Sequence, residues 1–546
     1  MKLFIVESPA KISTLIKILK KLKIEDEFLF FATLGHIKDL PVKKLGIDLK
    51  NFTPELIFLP YKRRLLSRLK SISAKVQEVF LATDPDREGE AISHHLYEFI
   101  SEANQKINFK RIDLIEITEH GVRQAMKNPR EINLKIYEAW LARRVLDRLI
   151  GYLISPRISR SFKQNLSAGR VQSVALRLVV EKEEEIENFV PETRYFLELE
   201  LTSGDKKICG ELFCKKEKVS FFTKKEAENL GKALKGKKLL LKKIVEKKEK
   251  LLPPPPLKTT SLIELAQKKL GFSPKETMLL AQKLYENGFI TYMRTDSIRV
   301  SDTAKKSAKE FIKELFGEEY VGRGRYLKKG KFVQDAHECI RPTKLALEKV
   351  PLSQKENQLY SLIRFYFILS QMASAIFAKK VLIFSFQEKK LKNYFLKISL
   401  KKLIFDGFLR LSKKEIKEVW MDVEANTFWE IQNYKVCSYT TKPPERYTSA
   451  TLIKKLESMG IGRPSTYANL LEVLFKRNYV FKEGKYLKPT ELGKKVNAFL
   501  KENFAPFVDY EFTARMEKEL EEILAEKKKY FNIVSEVYDV IKSCSK

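Results

Sequence analysis

The sequence predicts a multidomain protein in which an α/β region at the amino terminus is combined with helical regions and a β-rich region. At 546 residues, the chain is too long for a single hydrophobic core. Over the first 130 residues, short apolar strands alternate with amphipathic helices, which is the pattern of an open parallel sheet. Two later stretches, 191–252 and 379–442, consist of short strand patterns, and we expect them to pair in one β-rich domain.

The net charge indicates the class of partner. Lys and Arg number 104 against 70 Asp and Glu, a formal charge of +34, which favours a polyanion: nucleic acid first, an anionic membrane second. No apolar run approaches the length of a membrane span, and the amino terminus reaches Glu7 too early for a signal peptide, so we expect a cytoplasmic protein. The five cysteines form no C-x2-C pair, which indicates neither a zinc site nor a disulfide framework.

A set of acids at the ends of two predicted strands forms the first candidate site. Glu7 ends the first strand, and Asp84, Asp86 and Glu88 follow the apolar strand Val79–Thr83. Parallel strands of such a sheet end at one edge, where functional sites lie. Because neighbouring acids repel when all are ionised, we expect a hard divalent cation, Mg²⁺, between them. The alternative is that the acids favour the positive amino terminus of the following helix.

Three basic segments are visible, and two of them are candidate phosphate sites. Arg144 and Arg148 lie one turn apart on a predicted helix. The small residues of Ser167–Gln172 open the next helix, where backbone N–H groups and Arg170 could cradle a phosphate. A similar helix start carries Arg463. The alternative for the first two segments is a solvated basic face.

The stretch from Gly288 to Ser297 holds the candidate nucleophile. After an Asn-Gly turn, Phe289–Met293 is rich in β-branched and aromatic residues, which predicts a strand. Side chains alternate along a strand, so Tyr292 and Arg294 should point to the same side. A guanidinium favours the phenolate and can hold a phosphate, so this pair suits covalent attack on a phosphodiester. An ordinary edge strand is the alternative.

His337 is a further candidate in the same region. It lies in the segment Asp335–Pro342 and could bind a phosphate or transfer a proton. A lone histidine is more often structural, and that alternative stays open at this point.

The chain also contains an internal repeat. Residues 260–290 and 450–480 each read as helix, Gly/Pro turn, helix and short strand, with Phe289 and Tyr479 in register (479 − 289 = 190). We predict two winged-helix-like units, the first of which delivers Tyr292 just past its strand. No G-x-x-x-x-G-K-[ST] loop occurs, so an ATP-driven motor is not expected.

These motifs, in this order, resemble the bacterial DNA topoisomerase I family of type IA. The segments that carry the resemblance are Val6–Lys11, Gly35–Pro41, Asp84–Glu90, Ala142–Tyr152, Ser167–Ser173, Gly288–Ser297, Ala336–Thr343 and Gly460–Ala468. The resemblance implies a torus of four domains around a hole that can hold DNA. The implied domains are a Toprim metal-binding domain (1–130), a helical, winged-helix-like DNA-binding domain (131–190 and 443–546), a β-rich arch or hinge (191–252 and 379–442) and a helical domain with the nucleophilic tyrosine (253–378).

The resemblance further implies an ATP-independent enzyme that relaxes negatively supercoiled DNA. Tyr292 would attack a single-stranded phosphodiester, form a 5′-phosphotyrosine link and release a 3′-hydroxyl, after which the other strand passes and the break is resealed. A monomer and a nucleoid-associated location are expected. The implied catalytic residues are Tyr292, Glu7, Lys11 and Arg294, and the implied Mg²⁺ ligands are Glu7, Asp84, Asp86 and Glu88. The implied DNA contacts are His36, Arg143, Arg144, Asp147, Tyr152, Ser167, Ala168, Gly169, Arg170, Val171, Gln172, Gln282, Glu286, Thr295, Asp296, His337, Arg463 and Thr466.

Two departures from the family pattern are visible. The family often carries tetracysteine zinc modules after the core, and this sequence has none before Lys546, which leaves processivity open. Ser93-His94 stands where the family has Ala-Trp, which we attribute to helix packing. Two other functions fit the motifs: a Toprim nuclease, which needs the acids but not Tyr292, and a basic single-strand-binding protein, which needs neither.

Overall fold

The amino-terminal region folds as the expected open parallel sheet in the computed structural model, which describes residues 1–322, 337–412 and 416–544. Its elements are β1 (Lys2–Val6), α1 (Pro9–Leu22), β2 (Phe28–Ala32), β3 (Lys38–Asp39), β4 (Ile57–Phe58), α2 (Arg63–Ser73), β5 (Glu78–Leu81), α3 (Arg87–Ala103), β6 (Asn108–Arg111) and α4 (Glu119–Lys127). The longer strands pair in the order β2-β1-β5-β6, all parallel. Leu3, Phe4 and Ile5 of β1 are fully buried, as a central parallel strand between two helical layers requires.

Two long helices follow the sheet, α5 (Leu134–Phe162) and α6 (Arg170–Glu187). The Asn133 side chain caps α5 by accepting hydrogen bonds from two N–H groups of the first turn. Val145, Leu149 and Ile154 of α5 are buried in a core that this helix shares with the sheet and with the carboxyl-terminal helices. Although α5 has 29 residues, neither it nor any other helix in the described ranges is long and apolar enough to cross a bilayer.

The two β-rich stretches contribute strands to one sheet, which closes into a six-stranded antiparallel barrel. The elements are β7 (Thr193–Ser203), β8 (Lys206–Cys214), β9 (Glu217–Lys218), α7 (Lys224–Leu234), β10 (Lys238–Leu251), β11 (Ala375–Phe386), β12 (Tyr394–Phe405) and β13 (Phe428–Thr440). Their order is β12-β11-β10-β13-β7-β8-β9, and β12 pairs back with β8 to close the ring. Leu382, Phe384, Leu396 and Ile398 alternate into the barrel interior and form a core separate from that of the sheet.

The remaining elements are mostly helical. They are α8 (Thr259–Leu270), α9 (Pro274–Glu286), α10 (Asp302–Phe316), α11 (Gln354–Gln371), α12 (Leu409–Ser412), α13 (Ser449–Ser458), α14 (Pro464–Lys476), β14 (Val480–Glu483), β15 (Tyr486–Pro489), α15 (Glu491–Asn503), α16 (Tyr510–Leu524) and α17 (Tyr530–Ser543). Helices α8 and α9 repeat as α13 and α14, and the two pairs pack against each other. Lys454 and Glu264, which occupy equivalent positions in the two copies, form one of the ion pairs between them.

The second copy of the repeat is a winged helix. Strands β14 and β15 form its wing as a two-stranded antiparallel hairpin. The hairpin is tied to the helices because Leu487 N–H donates to the Tyr447 carbonyl (2.7 Å) and Thr490 N–H donates to the Tyr479 carbonyl (3.0 Å).

The first copy keeps only the base of such a wing, as two isolated bridges, and the two sides are far apart in sequence. Ile340 N–H donates to the Leu257 carbonyl (2.8 Å) and Thr343 N–H donates to the Phe289 carbonyl (2.9 Å), at positions equivalent to the two bonds of the second copy. Residues 291–339 are therefore an insertion between the two sides of a wing. The predicted nucleophile lies at the start of this insertion.

The strand predicted over Phe289–Met293 is wrong. Ile290 makes one isolated bridge, and beyond it the chain alternates between two partners. Thr291 N–H donates to the Arg341 carbonyl (3.0 Å), whereas Tyr292 N–H donates to the Ile115 carbonyl (2.9 Å). Because these partners belong to different loops, the segment is held on both sides without forming a ladder.

Candidate active site and nucleic-acid interface

Glu7 and Asp84 meet at the carboxyl edge of the sheet, with Lys11 between them. Glu7 follows β1, and Asp84 follows the neighbouring strand β5. Lys11, in the first turn of α1, is fully buried and places Nζ 2.6 Å from Glu7 Oε2 and 2.5 Å from Asp84 Oδ1. Glu7 also accepts a hydrogen bond from the Asp84 backbone N–H. The parallel topology thus joins two acids that are 77 positions apart.

The charges in this cluster are partly balanced. Burial raises the pKa of Asp84 to about 6, and Glu7 adds to the rise while Lys11 opposes it. Burial alone would lower the pKa of Lys11, but Asp84 and Glu7 raise it well above its ordinary value. Lys11 therefore stays charged, and Asp84 keeps an affinity for a proton or for a further cation.

Tyr292 and Arg294 converge on Asp86, so they do point to the same side. Tyr292 is 1% exposed, and its hydroxyl donates to Asp86 Oδ2 at 2.5 Å. Arg294 Nη1 lies 3.4 Å from the same oxygen. Asp86 also caps α3, because its Oδ1 accepts the Gly89 N–H at 2.9 Å. The Asp86 carboxylate thus caps the amino terminus of α3, which is the alternative role considered for the acids, and it also accepts the hydrogen bond from the tyrosine.

The protonation of the tyrosine differs from the expectation. Arg294 favours the phenolate, but burial together with Asp86 and Asp84 outweighs it and raises the pKa of Tyr292 well above its ordinary value. Burial opposes the charge on Asp86, whereas Arg294 and the Tyr292 hydroxyl lower its pKa. The described state therefore pairs a neutral phenol with a carboxylate.

Glu88 turns away from the other acids. Its Oε2 accepts hydrogen bonds from His36 Nε2 (2.5 Å) and from Trp140 Nε1 (3.2 Å), and the His36 ring stacks on the indole at 5.3 Å. His36 itself is half-buried. Its loop is fixed because Lys62, itself buried, donates to the carbonyls of Thr33 (2.8 Å) and Leu34 (2.7 Å).

The four acids offer the oxygen donors that a hard cation prefers, but their side chains do not form a complete coordination site in this conformation. Glu7, Asp84, Asp86 and Glu88 all line one cavity of about 540 Å³, and carboxylate oxygens are the ligands that Mg²⁺ takes. Each carboxylate is, however, engaged by protein donors. Within residues 1–322, 337–412 and 416–544, no three His, Cys, Asp or Glu side chains have ligating geometry. Metal binding at this edge thus stays a prediction.

His337 lies beside the tyrosine. Its ring centroid is 6.2 Å from that of Tyr292, and the residue is buried. Burial lowers the pKa of His337, while Asp86, Asp296 and Asp113 oppose that shift. Asp335 and Ala336, which precede it in the predicted motif, lie outside the described residues.

Sequence reasoning missed Arg111, which fixes the backbone of the acidic loop. Its guanidinium is fully buried and donates to the carbonyls of Leu81 (3.1 Å), Thr83 (2.8 Å) and Asp84 (2.8 Å). It also pairs with Glu90 at 3.1 Å. The available signal was a lone arginine at the end of a strand that leads into the functional edge.

Several predicted DNA contacts gather around Glu517, which sequence reasoning also missed. Glu517, on α16, is fully buried and accepts a hydrogen bond from Arg170 Nη1. Arg143 Nη2 lies 3.8 Å and Arg463 Nη1 lies 3.7 Å from its carboxylate. Burial opposes its charge, but these arginines lower the pKa of Glu517 to about 2.

The phosphate cradle proposed for Ser167–Gln172 is not presented in this conformation. The N–H groups of Ser167 and Ala168 donate to the hydroxyls of Tyr479 (2.9 Å) and Ser155 (3.0 Å). Gly169 N–H donates to the Ser173 hydroxyl, the Gln172 amide is bonded to the Ser167 carbonyl, and Val171 is buried. Arg170 also points inward, bonded to Asp147 as well as to Glu517. The loop is held together by its own contacts, so its partners must change if it binds phosphate.

A groove runs along α5 beside this loop. It encloses about 490 Å³ and is lined by five predicted contacts: Arg144, Asp147, Tyr152, Ser167 and Ala168. Arg477, which sequence reasoning did not single out, adds a further cation to its wall. Arg144 pairs with Asp39 at 2.8 Å, and Arg148 donates to the Pro41 carbonyl at 2.8 Å, which ties the groove to the α/β region.

The other predicted contacts divide into lining and structural positions. His36 and Gln282 line the larger cavity with the acids, and Arg143, Asp296, His337 and Arg463 line a smaller one beside Asp86. Glu286 accepts from Gln282 at 2.9 Å. Thr295 is buried, with its N–H bonded to Thr259, and the Thr466 hydroxyl accepts the Arg463 N–H at 2.9 Å.

Comparison with known proteins identifies the same family as the sequence motifs. The family model described as DNA topoisomerase matches residues 131–535, and that of the Toprim domain matches residues 2–117. DNA topoisomerase 1 of Aquifex aeolicus is 40% identical over 544 residues, covering 99% of this chain and 98% of the relative. DNA topoisomerase 1 of Thermotoga maritima is 40% identical over 556 residues, covering 99% of this chain and 84% of the relative.

A solved structure matches over nearly the same length. Full-length topoisomerase I from Thermotoga maritima, in a monoclinic crystal form, superposes with a TM-score of 0.85 at 38% identity. The match covers 99% of this chain and 90% of that one.

Proposed function

This chain belongs to the bacterial type IA DNA topoisomerase family, and from that membership we propose that Tyr292 is the nucleophile with which it cuts and reseals one DNA strand. The observation that carries the proposal is the convergence of the Tyr292 hydroxyl and the Arg294 guanidinium on Asp86 at the acidic edge. The proposed enzyme relaxes negatively supercoiled DNA and uses no ATP, because the phosphotyrosine bond conserves the energy of the cleaved phosphodiester.

The proposed step is an in-line displacement at phosphorus. The Tyr292 oxygen bonds to the phosphorus while the P–O3′ bond breaks, leaving a 5′-phosphotyrosine and a 3′-hydroxyl. The phenolic proton passes to Asp86, to which it already points. The leaving 3′-oxygen takes up a proton from solvent, relayed by the carboxyl group of Glu7, while Lys11, 2.6 Å from Glu7, keeps its charge. Arg294 and Lys11 stabilise the charge on the transferring phosphoryl group. Resealing reverses each transfer.

Mg²⁺ is the proposed cofactor of the same edge. Glu7, Asp84, Asp86 and Glu88 would hold it, in keeping with the all-oxygen donor set and with the raised pKa of Asp84. When bound, the ion would supply positive charge that offsets the repulsion between the acids and the DNA phosphates. The chain's own part is to keep the acids together through Lys11 and Arg111.

The proposed DNA path joins the α5 groove to the cavity of the acids. A single strand would lie along Arg144, Tyr152 and Arg477 and reach Arg463 near Tyr292. His36, Gln282, Asp296 and His337 support this path because they line the two cavities beside Asp86. The four-domain division given above, the toroidal passage of the second strand, a monomeric state and a cytoplasmic location belong to the same proposal.

A covalent-capture experiment tests the nucleophile. Single-stranded DNA labelled on the 3′ side of the cut is mixed with protein and Mg²⁺, quenched with denaturant and examined for label attached to protein. We expect attachment with the wild type, loss in Tyr292→Phe with single-strand binding retained, and attachment preserved in Tyr285→Phe. Tyr285 is the matched control because its ring is also buried, 5.2 Å from that of Tyr292, but its hydroxyl donates to the Leu114 carbonyl.

Two outcomes would redirect the assignment. Cleavage without attachment, persisting in Tyr292→Phe, would indicate a metal nuclease that uses the acids alone. Binding with neither cleavage nor attachment would leave a single-strand-binding protein with this fold.

A further inference from the structure

The smaller cavity beside Asp86 is lined by four arginines and four acids, and the acid Glu521 belongs to its wall. Glu521, on α16, forms ion pairs with Arg87 through Nη2 and with Arg463 through Nε, the latter at 3.0 Å. Arg87, Arg463 and Glu521 all line this cavity together with Asp86 and Arg294, the two partners of the tyrosine. Its volume is about 70 Å³, enough for a few waters but not for a sugar–phosphate unit.

Two guanidinium nitrogens at this cavity lack hydrogen-bond partners among the described residues, although the arginines and acids of its wall are equal in number. Arg143 Nη2 and Arg87 Nη1 are buried and make no hydrogen bond to any residue in the described ranges. Arg143 is nine-tenths buried and lines the cavity, and the nearest acid to its Nη2 is Glu517 at 3.8 Å. Buried guanidinium donors without partners cost free energy, so the site favours an anion with more acceptor oxygens than Glu521 offers.

We propose that Glu521 is an internal counter-ion that occupies this subsite in the DNA-free protein and is displaced by a backbone phosphate of the incoming strand. A carboxylate and a phosphate present similar planar pairs of oxygens to arginine, so Glu521 can hold Arg87 and Arg463 in their binding positions. A phosphate adds a third acceptor for Arg143. The exchange replaces one anion by another, so the site is charged to the same degree before and after binding.

This device has a cost in affinity, which the experiment measures. DNA binds only the fraction of molecules in which Glu521 has left, so the apparent affinity is reduced by that fraction. Glu521→Gln keeps the shape and removes the charge, and we expect it to bind single-stranded DNA about tenfold more tightly than wild type. Both proteins carry Tyr292→Phe so that cleavage does not interfere, and binding is read by fluorescence anisotropy. Glu522→Gln is the control, since Glu522 is the next residue of α16 and pairs with Lys518, outside the cavity.

A double-mutant cycle separates displacement from a structural role. In an Arg463→Gln background the gain from Glu521→Gln should largely vanish, because the cation that both anions share is gone. A folded Glu521→Gln protein that binds DNA equally or more weakly would overturn the proposal. If Glu521→Gln does not fold, Glu521→Asp, which keeps the charge but shortens the reach, should still bind more tightly than wild type; weaker binding would again overturn it.

The proposal for Glu521 rests on the proposed function only because it takes single-stranded DNA as the ligand. Covalent capture by Tyr292 and DNA affinity of Glu521→Gln are independent readouts. A wild-type adduct together with unchanged affinity in Glu521→Gln would refute the counter-ion and leave the nucleophile in place.

Discussion

The buried carboxylate of Glu517 is predicted to contribute a large, pH-dependent share of the stability of the helical core. Burial opposes its charge, but Arg170, Arg143 and Arg463 lower its pKa to about 2 from an ordinary value of 4.5. A carboxylate with a depressed folded-state pKa stabilises the fold fully above its unfolded pKa. That contribution is lost as the pH falls from about 4.5 towards 2.

The magnitude follows from the size of the shift. Each pKa unit corresponds to about 1.4 kcal/mol, so lowering the pH from 4.5 to 3 removes about 2 kcal/mol of the contribution of Glu517. Glu517→Gln removes the charge at every pH and leaves Arg170 and Arg143 without their buried partner, a loss of about 3–5 kcal/mol at pH 7. The gap between wild type and variant should therefore narrow by about 2 kcal/mol between pH 7 and pH 3.

Native-state hydrogen exchange of peptides from α5 and α16 measures this gap locally, which suits a chain of several domains. Exchange is followed at pH 7 and pH 3 after correction for the intrinsic rates. Glu522→Gln, with a half-buried acid on the same helix, should change protection at both pH values by less than about 1 kcal/mol. A gap between wild type and Glu517→Gln that stays constant with pH would refute the assignment of a depressed pKa to Glu517.

Three further predictions concern the segment that carries Tyr292, residues 288–297, and its contacts. Arg294→Ala should reduce cleavage about 100- to 1,000-fold while leaving the melting temperature nearly unchanged, because the side chain is 35% exposed and its proposed role is to stabilise charge on the phosphoryl group; a collapse of thermal stability would contradict this. Gly288→Ala should destabilise the protein by more than about 1 kcal/mol in urea unfolding, since φ is +76° and the added Cβ would lie 2.2 Å from the Ile117 carbonyl; an unchanged midpoint would show that the turn can relax. Arg341→Met removes the buried partner of Glu116 (2.9 Å). It should therefore lower the protection of residues 289–297 against hydrogen exchange by about 3–5 kcal/mol. Unchanged protection would mean that this segment keeps its position without the ion pair.

The fold of the amino-terminal region was predictable because its signals are local. The buried strands before Glu7 and Asp84 are continuous apolar runs, and parallel topology then requires their ends to meet. The repeat was equally visible, since its offset of 190 positions is conserved in the side chains themselves.

The errors and omissions have a common cause, which is contact between distant parts of the chain. Glu517 lies on a helix rich in acids and lysines, a composition typical of a solvent-exposed helix. Its arginine partner, Arg170, is 347 positions away in the sequence. Phe289–Met293 has strand propensity, but its backbone partners at Ile115 and Arg341 come from two loops, so no ladder forms. The closure of the β-barrel through β8 and β12 likewise depends on pairing that no local pattern encodes.

The insertion of Tyr292, the proposed nucleophile, between the two sides of a wing has a mechanical consequence. Thr343 bonds to Phe289 through its N–H and to Gly288 through its hydroxyl (2.7 Å), so the two ends of the inserted segment are fastened side by side. If a DNA strand is attached to Tyr292 as proposed, tension on that strand is expected to act as shear across the wing and to reach α8 and α9. These helices would then move as one body, and the same force would separate the two ends of the cut strand.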